Sequence, residues 1–211
     1  MPIVPRIITI ANQKGGVGKT TTAINLATAL AAIGERVLIV DIDPQGNAST
    51  GLGIDRRNRD VAACDVITGR ASGAEASGAT AVPKRSVVPS TLDLLGVEME
   101  IAGASDRAHK LRKALREGDV GGASYILIDC PPSLNLLTLN AMAAADSVLV
   151  PLQCEFFALE GLSQLLQTVE QVRRSLNPAL GIQGIVMTMF DGRNNLANQV
   201  VDDVRAHMGD K

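Results

Sequence analysis

Short aliphatic runs alternate along the chain with longer stretches of helical periodicity. Arg6–Ala11 (RIITIA) has the apolar, β-branched character of a buried strand, and Thr20–Ile33 reads as an Ala-rich helix. Arg36–Asp41 (RVLIVD) predicts the next strand, followed by a loop from Pro44 to Gly53 rich in Gly, Asn and Ser. The stretch from Asp55 to Pro89 has the weakest pattern. It holds a short helical candidate, Val61–Thr68, and an Ala/Gly/Ser tract, Ala71–Ala81, whose composition predicts a mobile surface loop. Leu92–Leu95 is a candidate strand and Val97–Arg116 a candidate helix. Tyr125–Asp129 (YILID) reads as a buried strand ending in a carboxylate. Ser133–Ala145 reads as a helix introduced by Pro131 and Pro132, with Ser133 as its N-cap. Ser147–Pro151 predicts a strand, Leu159–Leu176 a long helix that stops near Pro178, Ile182–Met189 a strand and Asn195–Met208 a final helix. Near-continuous apolar strands separated by helices imply an α/β fold: a doubly wound, mostly parallel sheet covered on both faces. No internal repeat is visible.

Composition narrows this picture without redirecting it. The 211 residues are 46% hydrophobic and 20% charged, which suits one globular domain spanning residues 1–211. Aromatic residues make up only 2%, with no Trp, so the core must be aliphatic. The formal net charge of -2 gives no global signature of nucleic-acid binding, so any such surface has to be local. Cys64, Cys130 and Cys154 are far apart and lack metal-type spacing, and they read as buried thiols of a reducing cytoplasm. No run approaches the ~18 apolar residues of a membrane span. The N-terminus lacks a basic segment followed by a long apolar run, so no signal peptide is expected.

The densest chemistry lies between the first strand and the first helix, in Asn12-Gln13-Lys14-Gly15-Gly16-Val17-Gly18-Lys19-Thr20-Thr21. Gly15, Gly16 and Gly18 let the backbone curl so that its N–H groups face phosphate oxygens. The helix that follows adds free donors and a partial positive charge. Lys19 can reach the β- and γ-phosphates, and the Thr20 hydroxyl can ligate magnesium. The strict G-x-x-x-x-G-K-[ST] pattern is not met, because Gln13 stands where its first Gly belongs; a second lysine, Lys14, precedes the glycines instead. Two strands end in carboxylates where ligands bind in open α/β sheets. Asp41 and Asp43 fall on the same side of the first, so spacing does not choose between them; the second ends at Asp129.

K-G-G-V-G-K-T-T resembles the deviant Walker A loop of the family that includes ParA, Soj, MinD and the nitrogenase iron protein. That resemblance implies an ATP-binding, magnesium-dependent P-loop ATPase with weak intrinsic activity, passing between ATP and ADP states. It also implies that Lys14 reaches across a homodimer to the partner's nucleotide, much as an arginine finger does. Asp41-Ile42-Asp43-Pro44-Gln45 resembles the family's D-x-D-P-Q motif, whose second Asp positions the attacking water; that role falls to Asp43, leaving Asp41 structural. Asp129 matches the family's magnesium-holding Asp.

Further segments resemble chromosomal ParA/Soj proteins: Asp43-Pro44-Gln45-Gly46-Asn47, Gln153 to Leu162, and Met189 to Leu196. The resemblance spans nearly the whole chain outside Asp55–Pro89. It implies a DNA-partitioning ATPase, cytoplasmic and nucleoid-associated. Its ATP-sandwich dimer would bind double-stranded DNA without sequence preference, and a ParB-type centromere-binding protein would stimulate hydrolysis. Arg193 matches a family DNA contact. The basic face of His109, Arg112, Lys113 and Arg116 reads instead as an ordinary solvated surface. No C-terminal membrane helix of the MinD kind is present, and the cysteines lack an iron-protein pattern, so no membrane partner is expected. The sequence ends at Gly209-Asp210-Lys211, before the further strand and helix that family members carry, which puts adenine contacts, dimer geometry and DNA binding in doubt. A nucleotide-binding scaffold, or a MinD-like positioning protein with impaired hydrolysis, is the alternative.

Overall fold

A computed structural model of the chain describes residues 4–209; Met1–Ile3, Asp210, Lys211 and the His207 side chain lie outside them. The sequence readings of the first residues and of the final pair therefore fall outside the described residues.

A seven-stranded sheet organises the fold. Its strands are β1 (Arg6–Ile10), β2 (Val37–Asp41), β3 (Gly78–Ala79), β4 (Arg85–Val88), β5 (Tyr125–Asp129), β6 (Ser147–Gln153) and β7 (Gly181–Thr188), in the spatial order β3-β4-β2-β5-β1-β6-β7. All neighbours pair in parallel except β3, which lies antiparallel to β4. β1, β2 and β5 are buried on both faces, which is why they read as continuous apolar runs rather than alternating ones. The pleat still divides their side chains between two cores. On β2, Val37 and Ile39 pack against one helix, α1 (Lys19–Ala32), through its buried stripe Ala23, Ala27 and Ala31. Leu38 and Val40 face the opposite core, roofed by α3 (Ala63–Thr68), α5 (Leu94–Ile101), α6 (Lys110–Glu117), α7 (Leu136–Ala144), α8 (Ala158–Ser175) and α9 (Asn195–Met208). Two short helices, α2 (Asn47–Gly51) and α4 (Gly73–Ala76), complete the set. The expected doubly wound, mostly parallel architecture is observed. Cys64, Cys130 and Cys154 are buried free thiols, as expected.

Several local expectations are overturned. The Pro44–Gly53 loop contains α2. The Ala71–Ala81 tract is structured: Ser72 caps α4 while Glu75 reaches back to the Ser72 N–H at 2.8 Å, a reciprocal pair that the Ser-x-x-Glu spacing encodes. Leu92–Leu95 is not a strand. Strand β4 forms earlier, where Val87 and Val88 pair with Ile39 and Val40, and Leu94 begins α5. Ser133 does not cap the following helix; Asn135 does, accepting from the Thr138 N–H.

The continuous helix expected over Val97–Arg116 is two helices. Asn140, fully buried on α7, accepts from the Leu111 N–H at 3.2 Å and donates to the Arg107 carbonyl at 2.8 Å. Those bonds satisfy one backbone group in the break and one in the first turn of α6, so tertiary contacts override the helical pattern. The basic face of α6 is likewise more than a solvated surface. Arg116 donates to the Pro5 and Ala144 carbonyls and pairs with Asp146, and Arg112 donates to the Ala143 carbonyl. Among the described residues, no helix is long and apolar enough to cross a membrane.

Replacing Asn140 with Ala strands the buried Leu111 N–H and removes the donor to the part-buried Arg107 carbonyl, and should destabilise the protein by about 1–3 kcal/mol in urea melts.

Candidate functional site

Parallel register brings the chemistry to one edge. Ile10 pairs with Asp129 and Asp129 with Asp41, so β1, β5 and β2 end level with one another. The glycine loop leaves β1 and enters α1 directly above them. Gly16 (φ 75) and Gly18 (φ 88) adopt the left-handed backbone the curl needs, which a side chain would strain. Gly15, Gly16, Gly18, Lys19, Thr20, Thr21 and Asp43 line one open cleft of about 490 Å³, with Gln45, Asn47, Pro132 and Met189 completing its walls. Strand β7 closes the loop from the side, where the Thr188 hydroxyl donates to the Val17 carbonyl at 2.9 Å. The Val17 side chain is buried beneath the loop, so Val17 can offer a ligand only its backbone.

Lys19 is buried, and its ammonium donates to the Lys14 carbonyl at 2.8 Å. Burial lowers its pKa, opposed in part by Asp129, Cys130 and Asp43. Such a cation, poorly solvated and set beside a glycine loop at the start of α1, is built to meet an anion. Behind it the Thr20 hydroxyl donates to Asp129 Oδ2 at 2.7 Å, while the buried Asp129 Oδ1 has no hydrogen-bond partner. Burial, then the nearby Asp41 charge, push the Asp129 carboxyl up to about 7, against the Thr20 hydrogen bond. An orphaned carboxylate oxygen beside a hydroxyl is a hard-oxygen donor set that fits magnesium, a cation usually held by one or two protein groups plus phosphate and water. Among the described residues, no cluster of three or more His, Cys, Asp or Glu side chains is placed to hold a metal by itself.

Asp41 and Asp43 are separated by their surroundings. Asp41 is fully buried and spoken for: it accepts from the Ser49 N–H and hydroxyl and from the Asp43 N–H. Burial lifts its pKa to about 6, with the Ser49 bonds working the other way. Asp43 instead lines the cleft, its Oδ1 accepting from the Gln45 N–H at 3.0 Å.

Two predicted site residues lie outside this constellation. Lys14 does not line the cleft; its ammonium forms an ion pair with Glu155, just beyond β6. Arg193 lies on the exposed turn after β7, where it pairs with Asp191 at 2.8 Å. The local sequence pattern marks none of Glu155, Ser49, Ser90, Met189 or Arg59 as a site residue. Gln45 and Asn47 were visible within the D-P-Q-G-N run, and Glu155 within the run from Gln153 to Leu162. Nothing local marks Ser90 or Arg59, which arrive from distant segments. Met189 sits at the rim in the left-handed region (φ 52), an uncommon conformation for a side-chain-bearing residue.

A family profile described as an AAA domain matches residues 5–182. The chain is similar to the chromosome partitioning protein ParA of Caulobacter vibrioides, with 61% identity over 207 residues that cover 98% of this chain and 78% of that protein. It is 50% identical over 206 residues to the sporulation initiation inhibitor protein Soj of Bacillus subtilis, covering 98% of this chain and 81% of that one. Among solved structures, it resembles cobyrinic acid a,c-diamide synthase from Mycobacterium smegmatis with bound ATP analog and magnesium. The TM-score is 0.90 at 39% identity, over 96% of this chain and 82% of that one. The septum site-determining protein MinD of Pyrococcus horikoshii, complexed with Mg-ADP, matches with a TM-score of 0.72 at 28% identity, over 93% and 77% of the two chains. At these identities over nearly the whole chain, the chain belongs to the ParA/Soj family of chromosome-partitioning P-loop ATPases.

Proposed function

We propose that this chain hydrolyses ATP to drive the partitioning of DNA, acting as a single ATPase domain that works in pairs. The observation that carries the reading is the joint placement of Lys19, Thr20 and Asp43 on one cleft, with Asp129 bonded behind Thr20. In this reading the amides from Gly15 to Thr21 and the Lys19 ammonium hold the phosphates of ATP or ADP. Thr20 and Asp129 would hold magnesium, which would neutralise phosphate charge. Asp43 orients water in line with the γ-phosphate. Catalysis is then mainly positioning and preorganised charge.

Lys14 serves a second copy of the chain. To reach the partner's nucleotide it has to leave Glu155, so the sandwich dimer exchanges an ion pair within the chain for a phosphate contact across the interface. The dimer binds double-stranded DNA without sequence preference, with Arg193 among its contacts, and a ParB-type protein stimulates turnover. This places the protein on the nucleoid in the cytoplasm. The relatives named for chromosome partitioning support this assignment over a scaffold or MinD-like role.

Asp43→Ala should bind a fluorescent ATP analogue normally and still dimerise, while phosphate release falls on the order of 10²-fold or more. Unchanged hydrolysis would sink the water-positioning role. Lys14→Ala should remain monomeric with ATP in light scattering and lose about 10³-fold of stimulated turnover; a normal ATP-dependent dimer would refute the crossing lysine. The raised Asp129 carboxyl yields a pH test. Its folded value of about 7 exceeds the ordinary carboxylate value of 3.8, so the folded state binds that proton more tightly than the unfolded state. Its stabilising contribution is therefore present at low pH and lost as pH climbs through that window. Without nucleotide and magnesium, Tm should fall over that range; Asp129→Asn should flatten the fall and melt above the wild type near about pH 8, yet lose magnesium-dependent nucleotide binding.

A further inference from the structure

The turn that carries Asp43 is held from outside by a residue of the segment that bears no recognisable motif. Arg59 follows a 3₁₀ turn at Arg56–Asn58 and is only 7% exposed. Its guanidinium spreads over three acceptors: Nη1 donates to the Ser90 carbonyl at 2.9 Å, and Nη2 to the Thr50 hydroxyl and the Ile54 carbonyl, each at 2.8 Å. These acceptors lie on two different walls. Thr50 and Ile54 belong to and follow α2, whereas Ser90 is the exit of β4.

Both walls grip the Asp43 turn. The fully buried Ser90 hydroxyl donates to the Asp43 carbonyl at 2.5 Å. The Ser90 N–H donates to the Ser49 hydroxyl, which in turn donates to Asp41, and Asp41 accepts the Asp43 N–H. From the other wall, the Thr50 hydroxyl donates to the Gly46 carbonyl at 3.0 Å, and Gly46 N–H closes the turn on the Asp43 carbonyl at 2.8 Å. Gly46 has φ 64, and a Cβ there would collide with Arg59 Nη1, so the guanidinium also packs directly on the turn.

We propose that Arg59 is a positioning residue for Asp43: by clamping Ser90 against α2 it sets the backbone from which the Asp43 carboxylate meets its water. This rests on the reading of Asp43 as the water-positioning group. A planar fork with donors on both arms suits the task, because one ammonium does not replace bonds to three separated acceptors. Arg59 touches no phosphate-binding residue, so the effect belongs to turnover and not to nucleotide affinity. The rate of hydrolysis is thereby linked to the Asp55–Pro89 segment rather than to the phosphate loop alone.

The test is single-turnover phosphate release, fluorescent-ATP affinity and Tm for Arg59→Lys, Ser90→Ala and Asp43→Ala. Arg59→Lys should slow turnover by about tenfold or more while nucleotide affinity stays within about twofold, the signature of a misplaced group. Ser90→Ala, which removes the bond to the Asp43 carbonyl and leaves Arg59 in place, should slow turnover a few-fold, again with affinity unchanged. A folded Arg59→Lys that turns over at the wild-type rate overturns the proposal, as does a loss of affinity in proportion to rate, which marks a merely structural role. If Arg59→Lys does not fold, Ser90→Ala decides: wild-type turnover in it overturns the proposal. Asp43→Ala separates the two levels. If it still hydrolyses ATP, the Asp43 reading itself falls; if it is inactive while the other two variants are normal, only the role of Arg59 falls.

Discussion

The level ending of β1, β5 and β2 is the constraint from which the site follows. Parallel pairing in register sets Ile10, Asp129 and Asp41 side by side across three strands. The loop that leaves β1 must then rise over two carboxylates, and the helix it enters presents Thr20 to one of them at 2.7 Å. A one-residue slip in either pairing would turn Asp129 or Asp41 to the opposite face and take the anchor away. The aliphatic core on both faces holds that register, and Ala23, Ala27 and Ala31 let α1 lie close against the sheet. Packing and chemistry are thus one problem here: the same strands that bury apolar surface also aim the charges.

Burial then gives those charges their character. Lys19, Asp41 and Asp129 are all nearly or fully inaccessible, and for each of them desolvation is the largest influence on its proton affinity. The lysine is pushed down and the carboxyls up, each toward neutrality, despite lying near one another. A site left in that condition gains from binding a polyanion and a divalent cation together, because each supplies the counter-charge the buried groups lack. The Lys14–Glu155 pair lies outside that pocket, its side chains 46% and 30% exposed, so solvent screens it more than it screens the buried groups.

Much of this was legible in the chain. The strands β1, β2, β5, β6 and β7 and the helices α1, α8 and α9 stand where apolar periodicity puts them, because each is long or wholly buried. The misreadings have a common origin. Leu92–Leu95 and the run from Val97 to Arg116 carry acceptable local patterns, yet Val87 and Val88 win the place beside β2, and Asn140 on α7 draws off the backbone bonds that a continuous helix would have used. Ser133 and Asn135 are both capping residue types, and only the position of α7 decides between them.

The sequence by itself determined the phosphate loop, its two lysines, the carboxylates at the strand ends and the alternation that yields a parallel sheet. These are local: three glycines, a lysine and a threonine at one strand-to-helix junction contain their own geometry. Spacing left Asp41 and Asp43 equivalent. Tertiary structure separated them, by surrounding one with the Ser49 and Asp43 donors and opening the other to the cleft. It alone also joined Ser90 and Arg59 to the Asp43 turn and Glu155 to Lys14. Such partners are distant in the chain and meet only once the sheet order is set, so no periodicity along the sequence encodes them.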